Sequence, residues 1–297
     1  MDRATWNQVR HAVRSASRAV PRRGRRTLYS DDLIVKLYLW TAWHDRPRCR
    51  AYDPLHYNGL FRPKRLPGYS QFCRRLRSSR VRAMLEHADA RLARGPTPAD
   101  DKADGFFDGH ALAVTENSRD PDARTGRGNG RFSRGYKLHA WADARQRIRA
   151  HATTALNAGE TTVAGERLAG RLPPHGLTVA DGNYDSDRLH RAMHAAGHRL
   201  LTPLKGSATS RRRVAGMSAA RLAAVAWWQA DPAACGAKLR TRGTVERTFA
   251  NLSNFGGGLT HLPPWVRTLD RVGLWVTAKL IIYHARMNAR QAAQRIA

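Results

Sequence analysis

Apolar residues recur every three or four positions over much of the first hundred residues, a spacing typical of amphipathic helices. Leu33, Leu37 and Trp40 share one face of a predicted helix that begins after Ser30, and serine is a favoured N-cap residue. Further helices are expected to begin near Ser70 and to cover 81–94.

The polar faces of these helices are rich in arginine, and Arg74 and Arg75 are adjacent examples. Such faces fit a small helical DNA-binding unit, including one of the helix-turn-helix type. A charged, solvated surface has the same pattern, so both interpretations stay open. We assign residues 1–100 to a helical DNA-binding region, because the polar, proline-containing segment 95–104 predicts a domain boundary.

Beyond this segment the apolar residues come in short runs, which predict strands rather than helices. Strands followed by alternating strands and helices, and then by terminal helices, predict an α/β fold with a mixed sheet flanked by helices. This second domain would cover residues 101–297. The expected strands are 106–114, 136–142, 147–156, 177–180 and 199–203, and the expected helices are 161–171, 187–196, 218–229 and 265–289.

Glycine and arginine dominate residues 118–135, which carry few apolar side chains. This composition predicts a flexible basic loop that could follow a phosphate backbone. Arg127, Arg131 and Arg134 are its candidate DNA-binding residues.

The chain of 297 residues carries 52 Lys+Arg against 23 Asp+Glu, a formal net charge of +29. Only seven of these cations are lysines. Arginine suits phosphate groups and base edges because its planar fork donates two parallel hydrogen bonds. A GC-rich genome would also favour arginine, and both causes can contribute. The charge makes nucleic acid the leading partner.

Three cysteines without a CxxC pair argue against a disulfide framework and against structural zinc. The N-terminal 26 residues are polar and arginine-rich, unlike a signal peptide. The most apolar run, 272–285, is too short to span a bilayer. We therefore expect a cytoplasmic, nucleoid-associated protein.

The segment 242–254 predicts an amphipathic helix, because Val245, Phe249 and Leu252 recur at spacings of four and three. Arg242 and Glu246 stand four apart on another face. They could form a surface ion pair worth a few tenths of a kcal/mol. Alternatively, Glu246 could be a metal-binding carboxylate.

Two further acids lie at positions where a carboxylate needs a structural or functional explanation. Asp108 interrupts an otherwise apolar strand, where an unpaired buried charge would be costly. Asp181 follows a buried strand, at the edge where open α/β sheets bind their ligands. Glu246, on its helix, could pack beside these strands. We therefore treat Asp108, Asp181 and Glu246 as candidate catalytic and metal-binding residues.

Converging carboxylates repel one another and are stable together when a cation neutralises them. Oxygen ligands without cysteine or clustered histidine favour Mg²⁺ or Mn²⁺ over zinc. Two such ions about 4 Å apart can activate a nucleophilic oxygen and stabilise the leaving oxygen of a phosphodiester. The sequence therefore predicts metal-dependent chemistry on nucleic acid.

Other acids have simpler interpretations. Asp185 is expected to cap a helix, and Asp143 belongs to a hairpin turn. Asp104 lies in the linker, and Glu160 and Glu166 flank a short helix whose dipole they could pair with.

Four phrases of the sequence, in this order, resemble the DDE transposases of bacterial insertion sequences. They are Phe107-Asp108-Gly, Gly135-Tyr-Lys-Leu-His139, Ala180-Asp181-Gly-Asn-Tyr-Asp-Ser186 and Arg242-x3-Glu246-Arg-x-Phe249. The resemblance covers roughly residues 104–290. Each phrase alone has low specificity, and the four in register are fairly specific.

The resemblance implies a ribonuclease-H-like core with an Asp–Asp–Glu triad, here Asp108, Asp181 and Glu246, that uses Mg²⁺ or Mn²⁺. It further implies that the protein cleaves DNA at the element ends and transfers the 3′-hydroxyl into target DNA. The DNA that it binds would be the terminal inverted repeats, and it would bind them as a homodimer. Lys137 and Arg242 are candidates for holding phosphates, and Tyr184 for stacking on a base.

The third motif of the family often has a tyrosine and a lysine where this chain has Leu239 and Ser253. Two alternatives therefore stay open. One is a metal-dependent nuclease that hydrolyses DNA without strand transfer, and the other is a catalytically inactive DNA-binding relic of a transposase.

Overall fold

The computed structural model describes residues 2–22, 27–95, 104–128, 130–204 and 214–295. The chain forms two compact units. The first contains Met1–Pro98 together with Leu252–Ala297, and the second contains Ala99–Asn251. Most of the predicted linker, residues 96–103, lies outside the described residues.

The first unit is helical, as predicted. Its helices are α1 (Arg3–Ala19), α2 (Asp31–Trp43), α3 (Tyr69–Leu76), α4 (Ser79–Arg94) and the C-terminal α10 (Leu269–Gln294). Ser30 caps α2 by accepting a hydrogen bond from the backbone N–H of Leu33, as the sequence predicts. Short 3₁₀ turns follow α2, at Arg48–Tyr52 and Pro54–His56.

The N-terminal segment was described from the sequence only as basic, with no helix assigned to it, yet it forms α1. Asp2 caps this helix by accepting from the N–H of Thr5. Trp6, Val9 and Val13 are buried along one face, and the ring of Trp6 packs edge-on against Trp40, with 5.3 Å between centroids. Trp6, Val9, Val13 and Ala16 recur at spacings of three and four, so the helical periodicity was present in the sequence.

Helix α10 contains a buried cation at Lys279. Its ammonium lies 2.7 Å from the Asp45 carboxylate and also donates to the carbonyls of Ala42 and Gly257. These three acceptors compensate for the loss of hydration. Within the described part of the chain, no helix is long and apolar enough to cross a membrane.

Among the described residues, the second unit contains a six-stranded mixed sheet. The strands are β1 (Gly105–Ala113), β2 (Arg124–Gly128), β3 (Arg131–Asp143), β4 (Ile148–Ala155), β5 (Gly176–Val179) and β6 (His198–Leu201). Five strands follow the order β2-β3-β1-β5-β6, and β4 pairs with β3. Strand β1 is antiparallel to β3 and parallel to β5, which is parallel to β6.

Helices flank this sheet, so the predicted mixed α/β fold with flanking helices is confirmed. A core cluster includes Phe107, Trp141 and Tyr184 together with Leu189 and Met193. The helices are α5 (Glu160–Val163, continued by a π turn and a 3₁₀ turn to Arg171), α6 (Asp187–Ala195), α7 (Ala219–Ala230), α8 (Pro232–Arg240) and α9 (Gly243–Ser253), whose last two residues belong to the first unit.

The expectation of a flexible loop over 118–135 is wrong in its second half. Strand β2 pairs with the start of β3, from Arg124 opposite Gly135 to Gly128 opposite Arg131. Backbone hydrogen bonds supply this pairing, which needs no alternation of apolar side chains. The composition therefore gave no signal for it.

Candidate active site

Asp108 and Asp181 occupy equivalent positions on neighbouring parallel strands. In the β1–β5 register, Phe106 pairs with Val179, and each aspartate lies two residues further along its chain. Asp108 lies on the face of β1 opposite Phe107, whose ring stacks on Tyr184 in the core. Asp181 follows the end of β5, where it accepts a hydrogen bond of 2.7 Å from the N–H of Asn183.

The surroundings of Asp108 disfavour its charged form. Burial raises the pKa of its carboxyl group to about 6. The N–H of Gly109 and the Arg242 guanidinium lower the pKa, whereas the negative charges of Asp181 and Glu160 raise it further. The effects of these side chains on Asp108 indicate that they lie within electrostatic reach of it.

The contact that the described residues give Glu246 is with Arg242 and not with either aspartate. The Glu246 carboxylate, on α9, is 3.2 Å from the guanidinium of Arg242, which immediately precedes that helix, and the Glu246 side chain is 65% exposed. The ion pair predicted as the simpler interpretation is therefore present. Arg242 is also the cation that acts on Asp108. Phe249, one turn further along the helix, stacks on His110 of β1 with 5.1 Å between ring centroids.

The fit of this cluster to a divalent metal ion is partial. Among the residues that the structure describes, no group of three His, Cys, Asp or Glu side chains is arranged to hold one. Asp108 and Asp181 nevertheless lie within electrostatic reach of each other, and a cation bound there would favour the charged form of Asp108, which burial disfavours. The donor set consists of oxygens, which suits Mg²⁺ or Mn²⁺.

A cleft of about 730 Å³ opens beside Asp181. Lys137 and Glu160 line it, with the Lys137 ammonium 2.7 Å from the Glu160 carboxylate. Arg127 of β2 lines the same cleft. The cleft therefore combines a strand-end carboxylate with two cations, an arrangement that could hold a phosphodiester.

Glu160 is a site residue that the sequence assigned only to a helix dipole. It begins α5, and a Cβ atom at Gly109 would lie 3.0 Å from both its Oε1 and the Lys137 Cδ. Glycine beside Asp108 thus leaves room for the Lys137–Glu160 pair. The sequence signal for this role was its place just past β4, beside the strand that carries Lys137.

The family model described as "Transposase DDE domain" matches residues 100–283, more than half of the chain. The chain belongs to this DDE transposase family. A cryo-EM structure of a piggyBac transposase synaptic complex with hairpin DNA is similar in fold, with a TM-score of 0.50 and 10% identity. The similarity covers 100% of this chain and 74% of that one. No curated protein matches the sequence.

Family membership confirms the predicted resemblance to DDE transposases, which generally use a divalent metal, whereas an origin in a bacterial insertion sequence stays a prediction. The structure uses several of the predicted DNA-binding residues internally. Arg134 donates to the carbonyls of Ser118, Asp120 and Ala123, and thereby holds the segment before β2.

In this DDE transposase, Tyr184 is buried, and its ring is 5.7 Å from that of Phe107. Burial, together with the negative charges of Glu160 and both aspartates, raises its pKa well above the usual value. Arg75 binds Asp31 in the helical unit. Arg74 and Arg131 are exposed. Contacts of all these residues with DNA stay predictions.

The other acids of this DDE transposase have structural partners. Asp104 accepts from the N–H of Leu177, Asp143 accepts from two N–H groups of its hairpin, and Glu166 pairs with Arg188. Capping of α6 falls to Ser186 rather than to Asp185. Asp185 instead pairs with Arg221 and His190, whose hydrogen bonds outweigh the effect of burial and lower its pKa.

Proposed function

We propose that the protein is an active DNA transposase that cuts at the ends of its element and joins the exposed 3′-hydroxyl to target DNA. The observation that carries the proposal is that Asp108 and Asp181 each lie two residues beyond the paired Phe106 and Val179, in a chain of the DDE transposase family. The net charge of +29 favours binding to DNA.

Asp108 and Asp181 would hold a divalent metal ion, and Glu246 would contribute the third carboxylate. When bound, Mg²⁺ or Mn²⁺ supplies positive charge that activates an attacking oxygen and stabilises the leaving oxygen. The Arg242–Glu246 pair is long and exposed enough to open, because such surface pairs contribute less than about 1 kcal/mol.

Cations of the cleft would orient the scissile phosphate. Lys137 and Arg127 line the cleft beside Asp181, and the positive charge of Arg242 acts on Asp108. Glu160 holds the Lys137 ammonium before DNA arrives, and a phosphate oxygen would then take over part of that contact. Positioning and charge neutralisation would be the main contributions of the protein.

Two in-line displacements at this one site would complete the reaction. In the first, water attacks the phosphodiester at the element end, and the strand leaves with a free 3′-hydroxyl. In the second, that hydroxyl attacks a phosphodiester of the target DNA, and the target strand leaves with its own 3′-hydroxyl. Two element ends must be processed together, so a homodimer on DNA is part of the proposal.

The test uses the full chain, DNA with the repeats that flank its gene, and Mg²⁺ or Mn²⁺. Asp108→Asn and Asp181→Asn should abolish cleavage but keep DNA binding. Glu166→Gln removes an exposed carboxylate paired with Arg188, away from the cleft, and should cut normally. Cleavage that persists in Asp108→Asn, or without divalent metal, would refute the proposal.

Two alternatives have distinct outcomes in the same assay. A nuclease would hydrolyse the substrate but fail to join a DNA end that already carries a 3′-hydroxyl. An inactive relic would bind DNA tightly, and calorimetry would detect no Mg²⁺ or Mn²⁺ binding. The relic is favoured by Leu239 and Ser253 and by the lack of a three-residue metal group among the described residues.

A further inference from the structure

The helical unit contains a small cavity of about 130 Å³ lined by aromatic and arginine side chains. No aspartate or glutamate is among the described residues that line it. Pockets that enclose a whole small-molecule ligand are usually about 300–1,000 Å³. This cavity therefore has room for one ring system only. Its main walls are Tyr38, Tyr69, Trp265, Arg46, Arg48 and Arg271.

Two of the aromatic walls are open to solvent. Trp265 is 41% exposed and Tyr69 is 47% exposed, although large aromatic rings are usually buried in a folded protein. The other two aromatic walls, Tyr38 and Trp275, are buried, and the guanidinium of Arg48 lies over the Tyr38 ring at 5.7 Å from the centroid. Two walls are thus fixed, and the two exposed rings can accept a flat group.

The acids closest to this cavity in sequence are paired elsewhere, although Asp270 still acts electrostatically on the wall residue Tyr38. Each of these acids forms an ion pair with a cation outside the cavity. The pairs are Asp45 with Lys279, Asp53 with Arg50, and Asp270 with Arg82. Arg46 and Arg271 are exposed, so they can take an anion from solution.

We propose that this cavity binds one unpaired nucleotide of a DNA strand. The base would stack on Trp265 and Tyr69, and the adjoining phosphates would bind Arg46 and Arg271. Aromatic faces with arginine suit single-stranded nucleic acid, because every base has a flat face and a phosphate beside it. A paired base is already stacked within its duplex and cannot enter. The proposal rests on DNA binding in the proposed function but not on cleavage.

The test compares a blunt duplex with the same duplex carrying a short single-stranded extension, and measures binding to the full chain by fluorescence anisotropy. The wild type should bind the extended duplex more tightly. Trp265→Ala should weaken that binding about tenfold or more and leave the blunt duplex unchanged. Trp265→Phe keeps a stacking face and should retain most of the difference. Leu55→Ala removes a side chain that is 94% exposed in the same unit and should change neither affinity.

A fluorescent 2-aminopurine in the extension reports stacking directly. Its emission should be quenched by the wild type and recover with Trp265→Ala. Equal affinity of the wild type for both duplexes, or equal losses on both duplexes in a folded Trp265→Ala protein, would overturn the proposal. Loss of all DNA binding by the wild type would instead refute the proposed function.

Discussion

The ammonium of Lys137 lies 2.7 Å from the carboxylate of Glu160, in the cleft that Asp181 also lines. Both side chains are largely buried, with exposed fractions of 10% and 20%. An acid beside two candidate catalytic aspartates adds to their repulsion, and the lysine offsets that charge. The pair therefore links the phosphate-binding side of the cleft to its carboxylates.

Removing one partner of this pair should cost more stability than removing both. Lys137→Met leaves Glu160 without its cation, and we expect it to lower the free energy of unfolding by about 2–3 kcal/mol. Adding Glu160→Gln should recover part of that loss, with a coupling energy of about 1–2 kcal/mol. Urea denaturation of the two single variants and the double variant measures the coupling, and additive losses would contradict it.

Asp108 should destabilise the metal-free protein at neutral pH. Its folded-state pKa of about 6 lies above the ordinary value of 3.8, so the unfolded chain loses this proton first as the pH rises. The contribution of Asp108 to stability therefore falls from about pH 4 to pH 6 and stays low above it. Asp108→Asn should raise the free energy of unfolding at pH 7 by at most about 3 kcal/mol.

Thermal unfolding at pH 4 and pH 7 checks this prediction, because the stabilisation by Asp108→Asn should be present at pH 7 and vanish at pH 4. Added Mg²⁺ should raise the Tm of the wild type and not that of the variant, since only the wild type would hold the ion. A variant that is less stable than the wild type at pH 7 would show that Asp108 is stabilised as an anion.

The sequence was most informative where burial and chain direction act locally. Asp108 could be predicted as a site residue because it interrupts an apolar strand, and Asp181 because it follows the end of one. Both strands form as predicted. The role of Glu160 could not be predicted because it depends on Lys137, which lies on β3 and contacts Glu160 only after folding. Strand β2 could not be predicted because backbone pairing, and not a pattern of apolar side chains, forms it.

The buried ammonium of Lys279 should make the helical unit sensitive to Asp45. Burial lowers the pKa of Lys279, and the hydrogen bond and charge of Asp45 act in the opposite direction. Asp45→Asn leaves the ammonium with carbonyl acceptors only, so we expect a loss of about 1–3 kcal/mol. The carboxylate is 46% exposed, which keeps the loss below that of a fully buried pair. Asp53→Asn, at an exposed pair with Arg50, is the matched control and should change the Tm little.

Arg127 and Arg134, on adjacent paired strands, should respond to the same substitution in different ways. Arg127 is exposed and lines the cleft, so Arg127→Gln should weaken binding to every DNA sequence and leave the Tm unchanged. Loss of one phosphate contact should reduce the slope of log K against log salt by about 0.9.

Arg134→Gln should instead lower the Tm, because three carbonyls of the preceding segment would lose their charged donor. Its salt slope should match the wild type, since a guanidinium committed to backbone carbonyls does not release counterions from DNA. Titrations at several salt concentrations, with melting curves of the same samples, separate the two effects. A reduced salt slope for Arg134→Gln at an unchanged Tm would place this guanidinium on DNA instead.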